Sequence, residues 1–188
     1  PATTHSSLIG WTNGIPWNQA LFEYFAETPF SLDLSREKWA SIVNTHYRCP
    51  IDRREQDASR QPVDRVPMTS YGQNVYFELS RSEIDPSRWG GDGAVPYRRA
   101  RIAVQFPSRT VVYGENVADP DTELSSDHVM AHFWRLYGDT YEVSVAKDRH
   151  QPGSGYVFAD GHAETMRFED TFNMVEEIDL WSPSGFIE

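Results

Sequence analysis

The chain has 188 residues, enough for one domain with a proper hydrophobic core. A hydrophobic fraction of 39%, with 6 Trp, 9 Tyr and 10 Phe, is a globular composition and excludes a disordered chain. The formal net charge of −11 argues against nucleic acid or an anionic membrane surface as a partner, while calcium, a basic protein or a neutral glycan is electrostatically acceptable.

Two further classes are disfavoured by the residue inventory. The single Cys49 rules out an internal disulfide framework and says little about the compartment. No apolar run in the sequence approaches the roughly 20 residues that a membrane-spanning helix needs.

The first part of the chain has helical periodicity. The run IPWNQALFEYFAE places Trp17, Leu21 and Phe25 at helical spacing and predicts a short amphipathic helix. The run SREKWASIVNTHY predicts a second helix with Ser35 as its N-cap. A charged, proline-marked loop then occupies residues 53–67, and its sequence leaves open whether it is ordered.

The rest of the chain alternates with the period of a strand. The run SYGQNVYFELSR predicts a strand with Val75, Phe77 and Leu79 on one face, and residues 110–113 predict another. A helical turn is expected within 129–136. The runs YEVSVAK, GYVFA and HAETMRF predict three closing strands, followed by a segment that is amphipathic at first and then extended.

This order of elements predicts an α+β fold. Helices come first and strands follow, without the alternation that a parallel, doubly wound sheet requires. We expect a single domain over residues 1–188, with short helices in its first half packed on an antiparallel β-meander in its second half.

The dipeptide Asp160-Gly161 lies between two strand-like runs and predicts a hairpin with a two-residue loop. Such a loop pairs Phe158 with Ala163, and the aromatic face of the hairpin is the better candidate for burial. His162 is then expected at the tip of the hairpin, on the more polar face.

Histidines near acids raise the question of a metal. A strand of five residues separates His150 from Asp160 by roughly 16 Å, whereas ligands of one ion lie within about 2.0–2.6 Å of it. This geometry opposes a site shared by the two residues and leaves Asp160 with His162 as a local candidate for calcium or zinc. His128 and His132 form a second candidate, because a spacing of four places both on one face of a helix.

Several motifs in the chain resemble those of a prepilin-related family that is similar to type II secretion pseudopilins and abundant in planctomycetes and their relatives. Nine residues separate His150 from Asp160-Gly161, as in the H-x9-DG signature of that family. YRCPID is similar to its aromatic-x-C-P-x-D motif, SYGQN to its S-Y-x-x-N motif, and TVVYGE to a strand that closes on a Glu. The residues that carry the likeness are Cys49, Pro50, Asp52, Ser70, Tyr71, Asn74, Glu115, His150, Asp160 and Gly161.

The resemblance implies a pilin-like head and a non-catalytic, structural role. Members of such a family have a short leader, which a prepilin peptidase removes, and a long apolar N-terminal helix that anchors in the membrane or packs in a filament. The chain is then expected to be the exported head of a protein anchored in the inner membrane, facing the periplasm or the cell surface. Its expected partners are other pilin-like subunits or secretion components, and membrane contact is expected only through that helix.

Other functions are weighed on the same residues. Serine-hydrolase, phosphate-loop and dinucleotide motifs are absent, and Cys49 beside Pro50 is read as a small buried residue, so we expect no enzyme and no resident cofactor. The alternative is a surface module that binds a glycan or a protein through exposed aromatic side chains. Trp89, in the glycine-rich run SRWGGDG, is the best candidate for such a contact.

Overall fold

The computed structural model describes residues 17, 21–26, 38, 41–53, 69–77, 104–117, 128–131, 134 and 145–183. Its helical elements are α1 (Phe22–Ala26) and a π-helical segment (Val43–Tyr47). The strands are β1 (Tyr71–Asn74), β2 (Val111–Glu115), β3 (His128–Val129), β4 (Ser154–Phe158), β5 (Ala163–Met166), β6 (Phe172–Asn173) and β7 (Ile178–Asp179). Short 3-10 turns occupy Val75–Phe77, Pro107–Arg109 and Phe168–Asp170.

The strands form a five-stranded sheet in the order β3-β1-β2-β4-β5 and a two-stranded sheet of β6 with β7. This mixture of short helices and sheet confirms the α+β class. Neighbours from β1 to β5 pair antiparallel, as the predicted meander requires. The edge strand β3 departs from that prediction, because it pairs parallel to β1.

Both predicted N-terminal helices have counterparts among the described residues. α1 lies within the first predicted run, and residues 41–47 of the second run are helical. In the part of the chain that the structure describes, no helix is long and apolar enough to cross a membrane. Residues 54–67 of the predicted loop lie outside the described residues.

β1 is shorter than the alternating sequence predicts, because Asn74 ends it. Its buried side-chain amide donates to the carbonyl oxygens of Val111 and Trp181, both at 2.7 Å. Its Oδ1 accepts the backbone N–H of Tyr76 at 3.2 Å, which bends the chain into the following 3-10 turn. The prediction that Val75 and Phe77 share a strand face is therefore wrong, and Leu79 lies outside the described residues.

The β4–β5 hairpin has a register one residue away from the predicted one. Val157 pairs with Ala163, where the sequence predicts that Phe158 does. Gly161 N–H donates to the carbonyl of Phe158 at 2.9 Å, and Gly161 adopts a φ of 98°. The loop is thus a turn closed by a residue in the left-handed region, which adds one residue to the predicted two. The buried aromatic face is as expected, but Ala163 does not belong to it.

The last segment is also a hairpin where an amphipathic run was predicted. Phe172 and Asn173 pair with Asp179 and Ile178, and Asn173 Oδ1 accepts the backbone N–H of Val175 at 3.0 Å. An asparagine that bonds its own following backbone stabilises a turn rather than a helix.

Two clusters of buried side chains cover the two faces of the main sheet. Gly114 faces one of them, since a Cβ there would fall 2.6 Å from the Trp181 ring. Its neighbour Tyr113 faces the other, with its ring 5.1 Å from that of Trp17. We call the layer of Trp17, Val43 and Tyr47 the helical layer. The larger, aromatic layer contains Val75, Tyr76, Val111, Val129, Ala131, Trp134, Val145, Tyr156, Phe158, Phe168, Phe172 and Trp181.

Candidate functional site

The candidate site begins where the helical layer meets the sheet. Cys49 follows the π-helical segment and is 2% exposed. The backbone N–H of Asp52 donates to the carbonyl of Cys49 at 2.9 Å, which closes a turn with Pro50 in its second position. Asp52 in turn accepts a hydrogen bond from the Ser70 hydroxyl at 2.5 Å, so this turn is fastened to the start of β1.

Glu115 contributes a carboxylate from the last position of β2. Its side chain is 1% exposed, and its Oε2 accepts the backbone N–H of Gly155 at 2.9 Å. An added Cβ at Gly155 would lie 3.7 Å from Oε2, an ordinary contact distance, so Gly155 contributes through its backbone N–H. Burial of a carboxylate is tolerated only with partners, and β4 supplies one of them.

Arg149 compensates the buried negative charge. Its guanidinium donates to the carbonyl oxygens of Ser70 at 3.0 Å and Asn116 at 2.6 Å. It also lies 3.5 Å from Asp52 Oδ2 and 3.5 Å from Glu115 Oε1. One planar guanidinium thus connects the Cys49 turn with β1 and β2, as its fixed fork of donors allows.

His150 completes the cluster from the turn before β4. Its Nε2 lies 3.1 Å from Glu115 Oε1 and 3.4 Å from Cys49 Sγ. The imidazole is 32% exposed, so solvent reaches a cluster whose other members are buried. The three donor atoms of Cys49, Glu115 and His150 lie within 4.8 Å of one another. We call these three residues the Cys-Glu-His cluster.

The phenol of Tyr71 borders this cluster. Burial, followed by the electrostatic influence of Cys49 and Glu115, raises the pKa of Tyr71 to about 12, while Arg149 acts in the opposite direction. The phenol therefore keeps its proton at neutral pH.

The cluster does not have the geometry of a proton relay. In a cysteine–histidine–carboxylate triad the thiol contacts one ring nitrogen and the acid orients the other. Here Cys49 and Glu115 both approach the same Nε2. The arrangement joins chain segments and gathers donor atoms, and among the described residues no carboxylate bonds the second ring nitrogen.

Asp160 and His162 lie apart from the cluster, at the other end of β4, as the strand geometry predicts. Asp160 Oδ1 lies 2.6 Å from His162 Nδ1 and accepts the backbone N–H of His162 at 3.1 Å. These bonds, the backbone one first, lower the pKa of Asp160. The His162 ring also stacks on Phe158 at 4.3 Å, so among the described residues this pair serves the turn and gains no third ligand.

His128, the first member of the second histidine candidate, lies in β3 opposite Gln73 and not on a helix. His132 lies outside the described residues, so the geometry of the pair stays a prediction.

The described tryptophans give no platform for a glycan. Trp17, Trp134 and Trp181 are 3%, 0% and 0% exposed, and the last two pack edge to face at 4.9 Å. Trp89 lies outside the described residues.

The motif residues are divided between the two faces of the sheet. Cys49, Asp52, Ser70, Tyr71, Glu115 and His150 converge on the side of the helical layer. Asn74 instead serves the aromatic layer through Trp181. Sequence reasoning did not single out Arg149, the residue before His150, and did not connect Glu115 or Cys49 with His150. The signal available was the position of Arg149 directly before the histidine of the H-x9-DG signature.

Neither a family model, a curated protein nor a solved structure matches this chain.

Proposed function

We propose that the chain is the head of a pseudopilin-like protein, with a structural role in a filament or secretion assembly. The observation that supports this is the convergence of three separated motifs on one buried cluster, where Arg149 bonds to the backbone of Ser70 and Asn116. The motifs that resemble the prepilin-related family are thus those that join the helical layer to the sheet. Residues that join two layers of a fold have a structural role.

A non-catalytic role is part of the proposal. The buried polar groups of the cluster bind one another or the backbone: Asp52 accepts from Ser70, and Glu115 accepts from Gly155. Since no carboxylate in the described part of the chain orients the His150 imidazole through its far nitrogen, the proposal assigns no nucleophilic role to the Cys49 thiol.

The gene offers the simplest test. The proposal requires an encoded leader followed by an apolar stretch of about 20 residues upstream of Pro1, the length that spans a bilayer. A reading frame that encodes neither would contradict the proposal. The protein would then have no means of anchoring or polymerising as pilins do.

Cross-linking of the full gene product in its own membrane tests the orientation of the head. With an N-terminal helix at the filament axis, the helical layer faces neighbouring subunits and the β6–β7 hairpin faces outward. Tyr24 and Val175 are 72% and 93% exposed on these two parts of the molecule. Tyr24→Cys is expected to give subunit–subunit cross-links and Val175→Cys is the matched control, expected to give few. The unaltered protein, whose native Cys49 is buried, gives the background level of cross-linking. Equal cross-linking at both positions would contradict the orientation.

A further inference from the structure

We propose that the Cys-Glu-His cluster is a binding site for a zinc-type divalent metal ion, with Cys49 Sγ, His150 Nε2 and Glu115 Oε1 as its protein ligands. The sulfur and nitrogen donors suit zinc, whereas calcium takes oxygen donors. The three residues come from segments far apart in the sequence, 101 residues between Cys49 and His150, and the fold brings them together.

The distances between the donor atoms fit one small ion. Metal–sulfur bonds of about 2.3 Å and metal–nitrogen or metal–oxygen bonds of about 2.0–2.2 Å give ligand–ligand separations of roughly 3.3–3.6 Å in a tetrahedron. Sγ and Nε2 are 3.4 Å apart, Nε2 and Oε1 are 3.1 Å apart, slightly less than this range, and Sγ and Oε1 lie within 4.8 Å of each other. Both contacts fall on the same ring nitrogen of His150. A proton relay cannot use this arrangement, but an ion shared by the three ligands requires it.

The charges around the cluster favour a cation at this point. Arg149 is shared between Glu115 and Asp52, at 3.5 Å from each, so it does not neutralise Glu115 alone. A metal ion would supply the missing positive charge and would stabilise the thiolate form of Cys49.

Neighbouring groups already hold the proposed ligands in place. Gly155 N–H bonds Glu115 Oε2 and leaves Oε1 turned towards the histidine. The Tyr71 phenol borders the Cys49 side chain. Such outer contacts orient ligands and tune a bound metal. Because His150 is 32% exposed, the fourth position is open to water from the solvent side.

Cobalt titration of the reduced 188-residue chain tests the site. One equivalent of Co²⁺ is expected to give the thiolate charge-transfer and tetrahedral d–d absorption bands, and one equivalent of Zn²⁺ is expected to displace it. Cys49→Ala is expected to lose the charge-transfer band. His150→Gln is expected to weaken zinc binding by more than the roughly 100-fold that loss of an outer contact costs. His162→Gln removes an exposed histidine elsewhere and is expected to bind as the unaltered chain does.

A second readout avoids the variants, in case Cys49→Ala does not fold. Alkylation of Cys49 in the unaltered protein is expected to slow on addition of one equivalent of Zn²⁺ and to recover with a chelator. Absence of the cobalt thiolate band, or alkylation unaffected by zinc, would overturn the proposal. Neither outcome bears on the pseudopilin-like role, which the upstream gene sequence tests separately.

Discussion

At the scale of single residues, one guanidinium in the described part of the chain lies between two buried carboxylates. Arg149 is 8% exposed, and the carboxylates of Asp52 and Glu115 beside it are 2% and 1% exposed. Breaking such an arrangement from one side leaves a buried charge without its partner, which is far more damaging than losing an exposed ion pair.

The first prediction concerns that guanidinium. Arg149→Met is expected to lower the free energy of unfolding by about 3–5 kcal/mol, because Asp52 and Glu115 lose a buried counter-charge. Arg149→Lys should lie in between, since an ammonium cannot reproduce the fork that reaches two carbonyls. Urea titration followed by tryptophan fluorescence measures the free energy of unfolding of the unaltered protein and of the two variants.

The matched control is Arg167→Met. Arg167 forms a bidentate pair with Asp170, at 2.9 and 2.7 Å, but both side chains are largely exposed. The unfolding midpoint is expected to move little in this variant. Equal effects at Arg149 and Arg167 would mean that the buried charge is not compensated as described.

The second prediction concerns pH at the hairpin tip. Hydrogen bonds from His162 lower the pKa of Asp160 below its ordinary value of 3.8. The stabilisation from these bonds is therefore present above the ordinary pKa and is lost as the pH falls through the lowered one. In an NMR titration of the carboxyl carbon, Asp160 should have its midpoint below 3.8. His162→Ala should raise it only partly, because the backbone donor remains; full recovery would contradict the order of causes.

At the scale of elements, asparagines decide where regular structure ends. Asn74 stops β1 by bonding three backbone groups, and Asn173 closes the β6–β7 turn by accepting two. The alternating hydrophobic pattern carries through Asn74 without a break, so it predicts a longer strand. The bonds that end it go to Val111 and Trp181, which no local pattern around Asn74 reveals.

The third prediction compares these two asparagines. Asn74→Ala leaves two buried carbonyls and one buried N–H without their donor or acceptor, and is expected to cost about 3 kcal/mol or more. Asn173→Ala frees N–H groups in an exposed turn that water can satisfy, and is expected to cost about 1 kcal/mol or less. Chemical denaturation of both variants measures the difference, and similar losses would show that the Asn74 bonds are not effectively buried.

At the scale of the whole molecule, the main sheet lies between the helical layer and the aromatic layer. Trp17 and Tyr47 of the helical layer pack edge-on at 5.7 Å, whereas Trp134 packs at 4.9–5.3 Å against three rings of the aromatic layer. Among the described residues the helical layer has fewer buried side chains, and a region with less buried apolar area opens at a lower free energy.

The fourth prediction follows from this difference in buried apolar area between the described parts of the two layers. Amides of Val43–Tyr47 are expected to exchange at least roughly tenfold faster than those of β4 in native-state hydrogen exchange. Trp17→Ala is expected to accelerate exchange in the helical layer and to leave β4 nearly unchanged. Simultaneous acceleration in both would show that the two layers open as one unit.

The sequence predicts the α+β class, the hairpin at Asp160-Gly161 and the separation of His150 from that turn, because each depends on local periodicity or turn chemistry. The one-residue error in register has a local cause as well, since Asp-Gly permits both a two-residue loop and a three-residue loop with Gly161 at positive φ. The Cys-Glu-His cluster depends on contacts between segments 35 and 101 residues apart. No pattern in one segment specifies which distant residue it will meet.

The position of Arg149 along the chain also sets an order of events during synthesis. Asp52, Ser70 and Asn116 leave the ribosome well before the side chain that joins them, which is 79 residues later than Ser70. Until Arg149 has been made, the Cys49 turn lacks the guanidinium that it binds in the folded protein. Closing so long a loop of chain is also entropically costly. We therefore expect the helical layer to dock on the sheet only after Arg149 has been made. A chain interrupted before Arg149 is expected to leave the docking face of that layer uncovered.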